Sequence, residues 1–131
     1  IIDPRRTRPG ARCQTPVSLL DIYPTLVETC GLKPPPQALE GRSLSKLIAD
    51  PARVTRRAVI STQGKGNHAV RSSRYRYIRY ADGEEELYDH HSDPHEWRNI
   101  AGDQSLAGVK QRLAGQLPGF NAEPIKGKRE K

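Results

Sequence analysis

The chain has few of the residues on which several classes of protein depend. Its 131 residues include two cysteines, one tryptophan, one phenylalanine and no methionine. Two cysteines are too few to define a disulfide framework, and Cys30 is expected to be a small buried residue at a helix end. Because translation begins at methionine, the sequence is interpreted as a piece of a longer protein.

Apolar residues are also scarce. They make up 34% of the chain, which has 11 glycines and 11 prolines. No apolar run approaches the ~20 residues that a membrane span needs, so no membrane is expected among the partners. The composition allows a single domain with a modest core and many turns.

Acidic residues are outnumbered by basic ones. The chain has 22 Lys and Arg against 15 Asp and Glu, a formal net charge of +7. Solvated tails are one interpretation of this excess. Attraction to anions such as sulfated glycans or nucleic acid is the other, because a positive field concentrates anionic partners. Much of the excess lies in two blocks, Arg5, Arg6, Arg8 and Arg12 at the start and Lys126, Lys128, Arg129 and Lys131 at the end.

Three short helices are predicted from capping residues and apolar spacing. Asp21, Ser43 and Asp103 are candidate N-caps, while Gly31 and Pro118 mark two helix ends. The apolar residues at helical spacing are Leu26, Val27 and Cys30 in the first helix, Leu44, Leu47 and Ile48 in the second, and Leu106, Val109, Leu113 and Leu117 in the third.

Four strands are predicted at residues 58–62, 68–71, 75–80 and 86–89. The first is short and β-branched, which predicts a central position in the sheet. Asp82-Gly83 predicts a tight type I′ turn before the last strand. Alternation places Arg76, Ile78 and Tyr80 on one face of the third strand and Tyr75, Tyr77 and Arg79 on the other. Together the elements predict an α+β fold, a small four-stranded antiparallel sheet packed by a C-terminal helix and preceded by short helices.

Two segments have residue types found at binding sites. Residues 89–96, with the sequence DHHSDPHE, contain the imidazoles and carboxylates that bind zinc. Sequence neighbours in a turn rarely converge on one metal ion, however, and Asp93-Pro94 is typical of a structural turn. No metal ligand is therefore assigned, although Trp97 is expected to anchor the following loop against the sheet. The loop QGKGNH at 63–68 lacks the spacing of a phosphate-binding loop.

Arginines and tyrosines interleave along the third strand. Such a pattern is compatible with single-stranded nucleic-acid binding by stacking and phosphate pairing. It is equally compatible with packing against another domain, in which arginines bind carboxylates and tyrosines fill the interface. The residues are Arg71, Arg74, Arg76 and Arg79 with Tyr75, Tyr77 and Tyr80.

A series of short motifs in order resembles the C-terminal part of the type I sulfatases. The likeness covers about residues 1–118 and is more specifically a similarity to the bacterial iduronate-2-sulfatase-like and choline-sulfatase-like members. The order of the motifs favours domain packing over nucleic-acid binding. The motifs are PVSLLDIYPTL at 16–26, EGRSL at 40–44, AVR at 69–71, YRYI at 75–78, ELYD at 86–89, and Asp93-Pro94 with Glu96 and Asn99.

The resemblance implies a division of the chain into three parts. Residues 1–55 would be the end of an alkaline-phosphatase-like α/β catalytic domain, including its last strand at residues 1–3. Residues 56–118 would be the antiparallel-sheet subdomain, and residues 119–131 a basic flexible tail.

The resemblance also implies a reaction that this chain does not carry out alone. Sulfatases of this type use a formylglycine, made in a C-x-P-x-R context, and a Ca²⁺ ion held partly by an Asp-Asp pair. Neither Cys13 nor Cys30 has that context, and no Asp-Asp pair occurs. The nucleophile and metal ligands are therefore expected in a missing N-terminal domain, and the chain alone is expected to be inactive.

In the complete enzyme the resemblance implies hydrolysis of sulfate esters, with those of carbohydrates as the expected substrates, in the periplasm or outside the cell. The loop at 63–68 would lie near the pocket mouth. Its Lys65, Asn67 and His68 are the candidate residues for contact with an anionic sulfated substrate. The alternative is a stand-alone module that binds anionic glycans or nucleic acid.

Overall fold

The computed structural model describes residues 10–53 and 55–123. They form two compact units that divide between Ala58 and Val59. The predicted strand at 1–3, three of the four N-terminal arginines and the basic block at 126–131 lie outside the described residues, as does most of the predicted flexible tail.

The first unit contains the two helices α1, Ile22–Thr29, and α2, Ser45–Ala49. A 3₁₀ turn, Leu19–Asp21, leads into α1 and is closed by a capping box at Ser18. Helix α2 begins two residues after Ser43, whose hydroxyl accepts a hydrogen bond from the Ser45 amide at 3.2 Å. Both helices thus begin close to the predicted caps, but the N-cap of α2 is Leu44 and no side chain caps this helix, so the predicted Ser43 cap was wrong.

Two predictions for α1 were wrong. Asp21 makes no side-chain cap for α1, because its carboxylate instead accepts hydrogen bonds from the Ser18 amide at 2.7 Å and the Arg42 amide at 2.9 Å. The predicted apolar stripe is not a core stripe either, since Leu26 and Cys30 are exposed.

The second unit is a four-stranded antiparallel sheet in the order β1-β2-β3-β4. Its strands are β1, Val59–Thr62, β2, His68–Arg71, β3, Tyr75–Arg79, and β4, Glu85–Asp89. The predicted α+β fold is confirmed. The predicted central position of β1 was wrong, because among the described strands it lies at one edge of the sheet and pairs only with β2.

The core of this unit lies on one face of the sheet. Val70, Tyr77 and Leu87 pair in register across β2, β3 and β4 and are fully buried. Helix α3, Ala107–Ala114, packs on β3 and buries Leu113. Each such side chain contributes roughly 1.5–3 kcal/mol on burial, so this cluster supplies most of the apolar stabilisation of the sheet.

Helix α3 is preceded by a 3₁₀ turn, Gln104–Leu106, which Asp103 caps through the Ser105 amide at 2.9 Å. The helix ends at Ala114, before the predicted end at Pro118-Gly119. Beyond Ala114 the chain continues in 3₁₀-type turns, in which the amides of Gln116 and Leu117 donate to carbonyls three residues earlier.

Two further details of the second unit differ from expectation. The β3–β4 turn is not type I′, because φ is positive at Gly83 (92°) but not at Asp82. Trp97 does not anchor the loop against the sheet; it is largely exposed and stacks on His95 with ring centroids 5.1 Å apart. In the described part of the chain, the helices are all too short or too polar to cross a bilayer.

Candidate functional site

The candidate site is the loop between β1 and β2. The Gln63 amide donates to the Asn67 carbonyl at 3.0 Å, which closes the loop. Gly64 and Gly66 both have positive φ, 71° and 81°, a conformation that glycine adopts at little cost. The loop therefore has a defined shape that holds Lys65 at its tip.

Asn67 joins this loop to the β3–β4 turn. Its amide nitrogen donates to the Gln63 carbonyl at 3.0 Å, and its side-chain oxygen accepts from the Ala81 amide at 3.1 Å. Lys65 has a half-exposed side chain and forms an ion pair with Glu123. The Lys65 ammonium thus lies at the surface, next to the side-chain amide of Asn67, whose hydrogen bonds are made within the chain.

His68 is buried beneath the loop and both of its ring nitrogens are occupied. Nδ1 lies 2.8 Å from the Thr62 hydroxyl, and Nε2 lies 2.6 Å from the side-chain oxygen of Asn121. That oxygen only accepts hydrogen bonds, so Nε2 carries the proton and, in the neutral ring, Nδ1 accepts from Thr62. A ligand would have to displace Asn121 to reach this imidazole.

The three predicted site residues therefore share one loop but differ in accessibility. Of the three, Lys65 presents a charged group to solvent, whereas Asn67 and His68 bind other parts of the chain. The chemistry available is binding and orientation of an anion. Asn121 and Glu123 were missed by sequence reasoning, because they lie more than 50 residues away in the chain and no local pattern links them to the loop.

The histidine-rich turn at 89–96 is held by ion pairs. Arg74 donates twice to Asp89, at 2.9 and 2.6 Å, and this contact holds the pKa of Asp89 below its usual value. Asp93 accepts from the Arg98 amide at 2.9 Å, and backbone hydrogen bonds likewise lower its pKa. Within residues 10–53 and 55–123, no three or more His, Cys, Asp or Glu side chains are grouped to hold a metal ion.

Glu96 is the centre of a second charged cluster. It has positive φ (58°) and accepts from Arg76 at 2.6 Å, while its other carboxylate oxygen lies 2.5 Å from His90 Nε2. Arg71 lies opposite Arg76 on β2, and its buried Nη1 has no hydrogen-bond partner among the described residues. Burial lowers the pKa of Arg71 despite the nearby Glu96. Alternation places the two arginines on one face, but no sequence signal predicts the conformation of Glu96.

Three tyrosine hydroxyls of the second unit bind carboxylates of the chain itself. Tyr77 donates to Glu85, and burial together with this contact raises the pKa of Tyr77 to about 12. Tyr80 and Tyr88 both donate to Glu86, at 3.1 and 2.9 Å. The interleaved pattern noted in the sequence thus builds internal hydrogen bonds on both faces of the sheet.

Comparison with known proteins points to one family. The sequence profile described as "N-sulphoglucosamine sulphohydrolase, C-terminal" matches residues 1–123. A protein from Formosa agariphila named "Sulfatase" is 41% identical over 113 residues, which cover 86% of this chain and 22% of that protein. Arylsulfatase K from Xenopus laevis is 34% identical over 74% of this chain and 21% of its own length.

Solved structures give the same result. The structure of a protein described as a 2-O GAG sulfatase is 27% identical, with a TM-score of 0.61, over 72% of this chain and 22% of that chain. The chain thus spans about a fifth of the length of the curated relatives that it matches.

Proposed function

The chain belongs to the sulfatase family, in which it corresponds to the C-terminal domain, and we propose that it is part of an enzyme that hydrolyses sulfate esters of carbohydrates. The family match over residues 1–123 carries the proposal. The carbohydrate substrate is supported by the similarity to a 2-O GAG sulfatase at 27% identity. We place the enzyme with the iduronate-2-sulfatase-like and choline-sulfatase-like bacterial proteins, in the periplasm or outside the cell.

The role of this chain would be structural. Residues 1–55 would complete the catalytic domain, residues 56–118 would form the sheet subdomain at the rim of the pocket, and residues 119–131 a basic tail. The relatives are about five times as long as the matched segment, which supports a C-terminal fragment. Neither cysteine has the context of a formylglycine precursor, and the described residues do not fit a Ca²⁺ site. Both groups would therefore belong to the N-terminal part.

Within this role, the loop at 63–68 would contact the anionic substrate. Lys65 would make the contact directly, because its ammonium is at the surface and a sulfate group would replace Glu123 as its partner. Asn67 and His68 would hold the loop through Ala81, Thr62 and Asn121. Their hydrogen bonds would keep the ammonium at a fixed place on the pocket rim.

A domain replacement tests this function. The region of the Formosa agariphila sulfatase that matches this chain would be replaced by residues 1–123, and the hydrolysis of sulfated sugars would be followed. We expect the replaced enzyme to be active and the enzyme lacking the region to be inactive. A folded but inactive replacement would contradict the proposal.

The same enzyme tests the loop. Lys65→Ala should raise KM roughly two- to fivefold with little change in kcat, as expected when an exposed charge contact worth about 0.5–1 kcal/mol is lost. Lys46→Ala, which removes an exposed lysine of the first unit, is the matched control and should change neither constant. An unchanged KM for Lys65→Ala would show that the loop does not contact substrate.

A further inference from the structure

Helix α1 and the turn before it carry their polar residues inward. Asp21 and Thr25 are 0% and 1% exposed. The Thr25 hydroxyl donates to the Asp21 carbonyl at 2.6 Å and accepts from the Leu44 amide at 2.8 Å. One turn later, Glu28 accepts from the Ser45 hydroxyl at 2.6 Å. Residues 21, 25 and 28 thus form a polar stripe that holds the helix to the segment at 42–45.

The opposite side of the helix is apolar and exposed. We name it the outer face, and it consists of five large side chains at helical spacing: Leu19 (86% exposed), Leu20 (59%), Ile22 (45%), Tyr23 (50%) and Leu26 (50%). An amphipathic helix on a protein surface normally has the reverse arrangement, with apolar residues toward the core and polar residues toward water. The helix is therefore inverted with respect to the unit that contains it.

An inverted helix needs a second surface on its apolar side. A contiguous apolar patch of this kind marks an interaction site. In the polar stripe, by contrast, Asp21 and Thr25 are buried and hydrogen-bonded, and Glu28 binds Ser45 from the surface, so these contacts fix the orientation of the helix. The remaining apolar core of the first unit is small, since Leu44 and Leu47 are its buried apolar side chains among the described residues.

We propose that the outer face docks onto an apolar surface in the N-terminal part of the same sulfatase polypeptide; this inference rests on the proposed function. In the matched relatives, about four fifths of the length lies outside the segment that this chain covers. That part of the polypeptide can supply the partner surface. A second copy fits less well, because two chains of formal charge +7 repel each other. The first unit is then a layer of the catalytic domain. Asp21 binds α1 to the rest of this unit, and the partner surface covers the outer face.

The isolated 131-residue chain gives the first test. The double variant Leu19→Ser/Leu26→Ser is compared with Trp97→Ser, which removes one large exposed apolar residue from the other unit. The fluorescence of the neutral dye Nile red should fall severalfold in the double variant and change little in the control. The unfolding temperature of the double variant should stay unchanged.

Three results with the isolated chain would overturn the proposal. Failure of the unsubstituted chain to bind the dye, or a large drop in unfolding temperature in the double variant, would show that this chain already covers the outer face. A stable dimer that the double variant dissociates would assign the face to a second copy.

The second test uses the replaced Formosa agariphila enzyme. There the double variant should lower the unfolding temperature by at least about 5 °C, because two leucines that are now buried become serine. An unchanged unfolding temperature would show that the partner leaves the face open. A replaced enzyme that shows the shift but has no sulfatase activity would contradict the proposed function and leave the docking intact. If the replaced enzyme does not fold, the dye experiment decides.

Discussion

Gly41 is the residue at which a single added methyl group should do most damage. It lies in the EGRSL motif, where the chain crosses the turn before α1. A Cβ at this position would lie 1.9 Å from the Leu20 carbonyl oxygen, 2.4 Å from its carbon and 3.0 Å from the Asp21 amide nitrogen. The first of these distances must widen to at least 3.4 Å for ordinary contact.

The free energy of unfolding that Gly41→Ala loses depends on which atoms the new methyl group displaces. All three neighbours are backbone atoms, so no side chain can rotate away. Overpacking costs about 1–3 kcal/mol where the surroundings give. Separating the two segments also weakens the bond from the Arg42 amide to Asp21, a charged hydrogen bond worth about 1.5–3 kcal/mol. We expect a loss of about 3–5 kcal/mol, a large share of the ~5–15 kcal/mol of a typical domain.

Thermal and urea unfolding of the 131-residue chain, followed by circular dichroism, measure this loss. At roughly 4–8 °C per kcal/mol, the first unit should unfold at least about 12 °C earlier. Gly108→Ala is the matched control, because its Cβ would meet nothing within 4 Å and it lies inside α3. That variant should be stabilised by about 0.5–1 kcal/mol. Equal unfolding curves for the two variants would refute the close approach at Leu20.

Three further predictions concern Asp21, Leu87 and two tyrosines of the sheet. Asp21→Asn should cost about 3–5 kcal/mol, because it leaves Arg57 without its buried partner. Burial would raise the pKa of Asp21, but hydrogen bonds from Arg57 and two amides outweigh it and lower the pKa; its stabilising contribution is therefore present above pH 4 and lost as pH falls through the folded pKa. Leu87→Ala should cost about 2–5 kcal/mol in urea unfolding. Tyr77 and Tyr88 should ionise near pH 12 in ultraviolet titration, so the stability that they confer is lost as pH rises from about 10 to 12.

Each of these has a clear contrary result. An Asp21→Asn chain with unaltered stability at neutral pH would show that the carboxylate is not a buried centre of hydrogen bonds. Leu87→Ala unfolding at the original urea concentration would place the leucine outside the core. All tyrosines ionising together near pH 10 in the folded chain would rule out the contacts of Tyr77 and Tyr88 with their carboxylates.

The sheet could be predicted from sequence because its signals are local. Alternation and turn residues located β2, β3 and β4 to within one residue. The position of β1 could not be obtained in this way. Its β-branched residues indicate a preference for extended backbone and burial, but Ile60 is exposed and the strand has one neighbour among the described strands. Which strand lies at an edge depends on long-range pairing.

The error in α1 has a different cause. The spacing of its apolar residues is typical of a buried helix face, but Leu26, which has that spacing, is exposed. Burial requires a partner surface, and among the described residues α1 binds the segment at 42–45 through Asp21 and Thr25, on its polar side. Apolar spacing predicts that a helix face is buried, but it does not say whether the surface that covers this face belongs to the same chain.

The candidate site was predictable as a loop but not in its contacts. Glycines and two flanking strands identified residues 63–68, and Lys65 lies at the surface as expected of such a loop. The burial of His68 depends on Asn121, which is 53 residues away, and no periodicity reports a contact of that range.

The most direct test of the central claim is the turnover of an aryl sulfate by the purified 131-residue chain, beside the replaced Formosa agariphila enzyme as positive control. If this chain is the C-terminal domain of a sulfatase whose nucleophile lies elsewhere, the chain alone will release no sulfate above background and the replaced enzyme will. Sulfate release by the folded chain alone would contradict the claim, whether or not it persists after Cys13 and Cys30 are replaced by alanine.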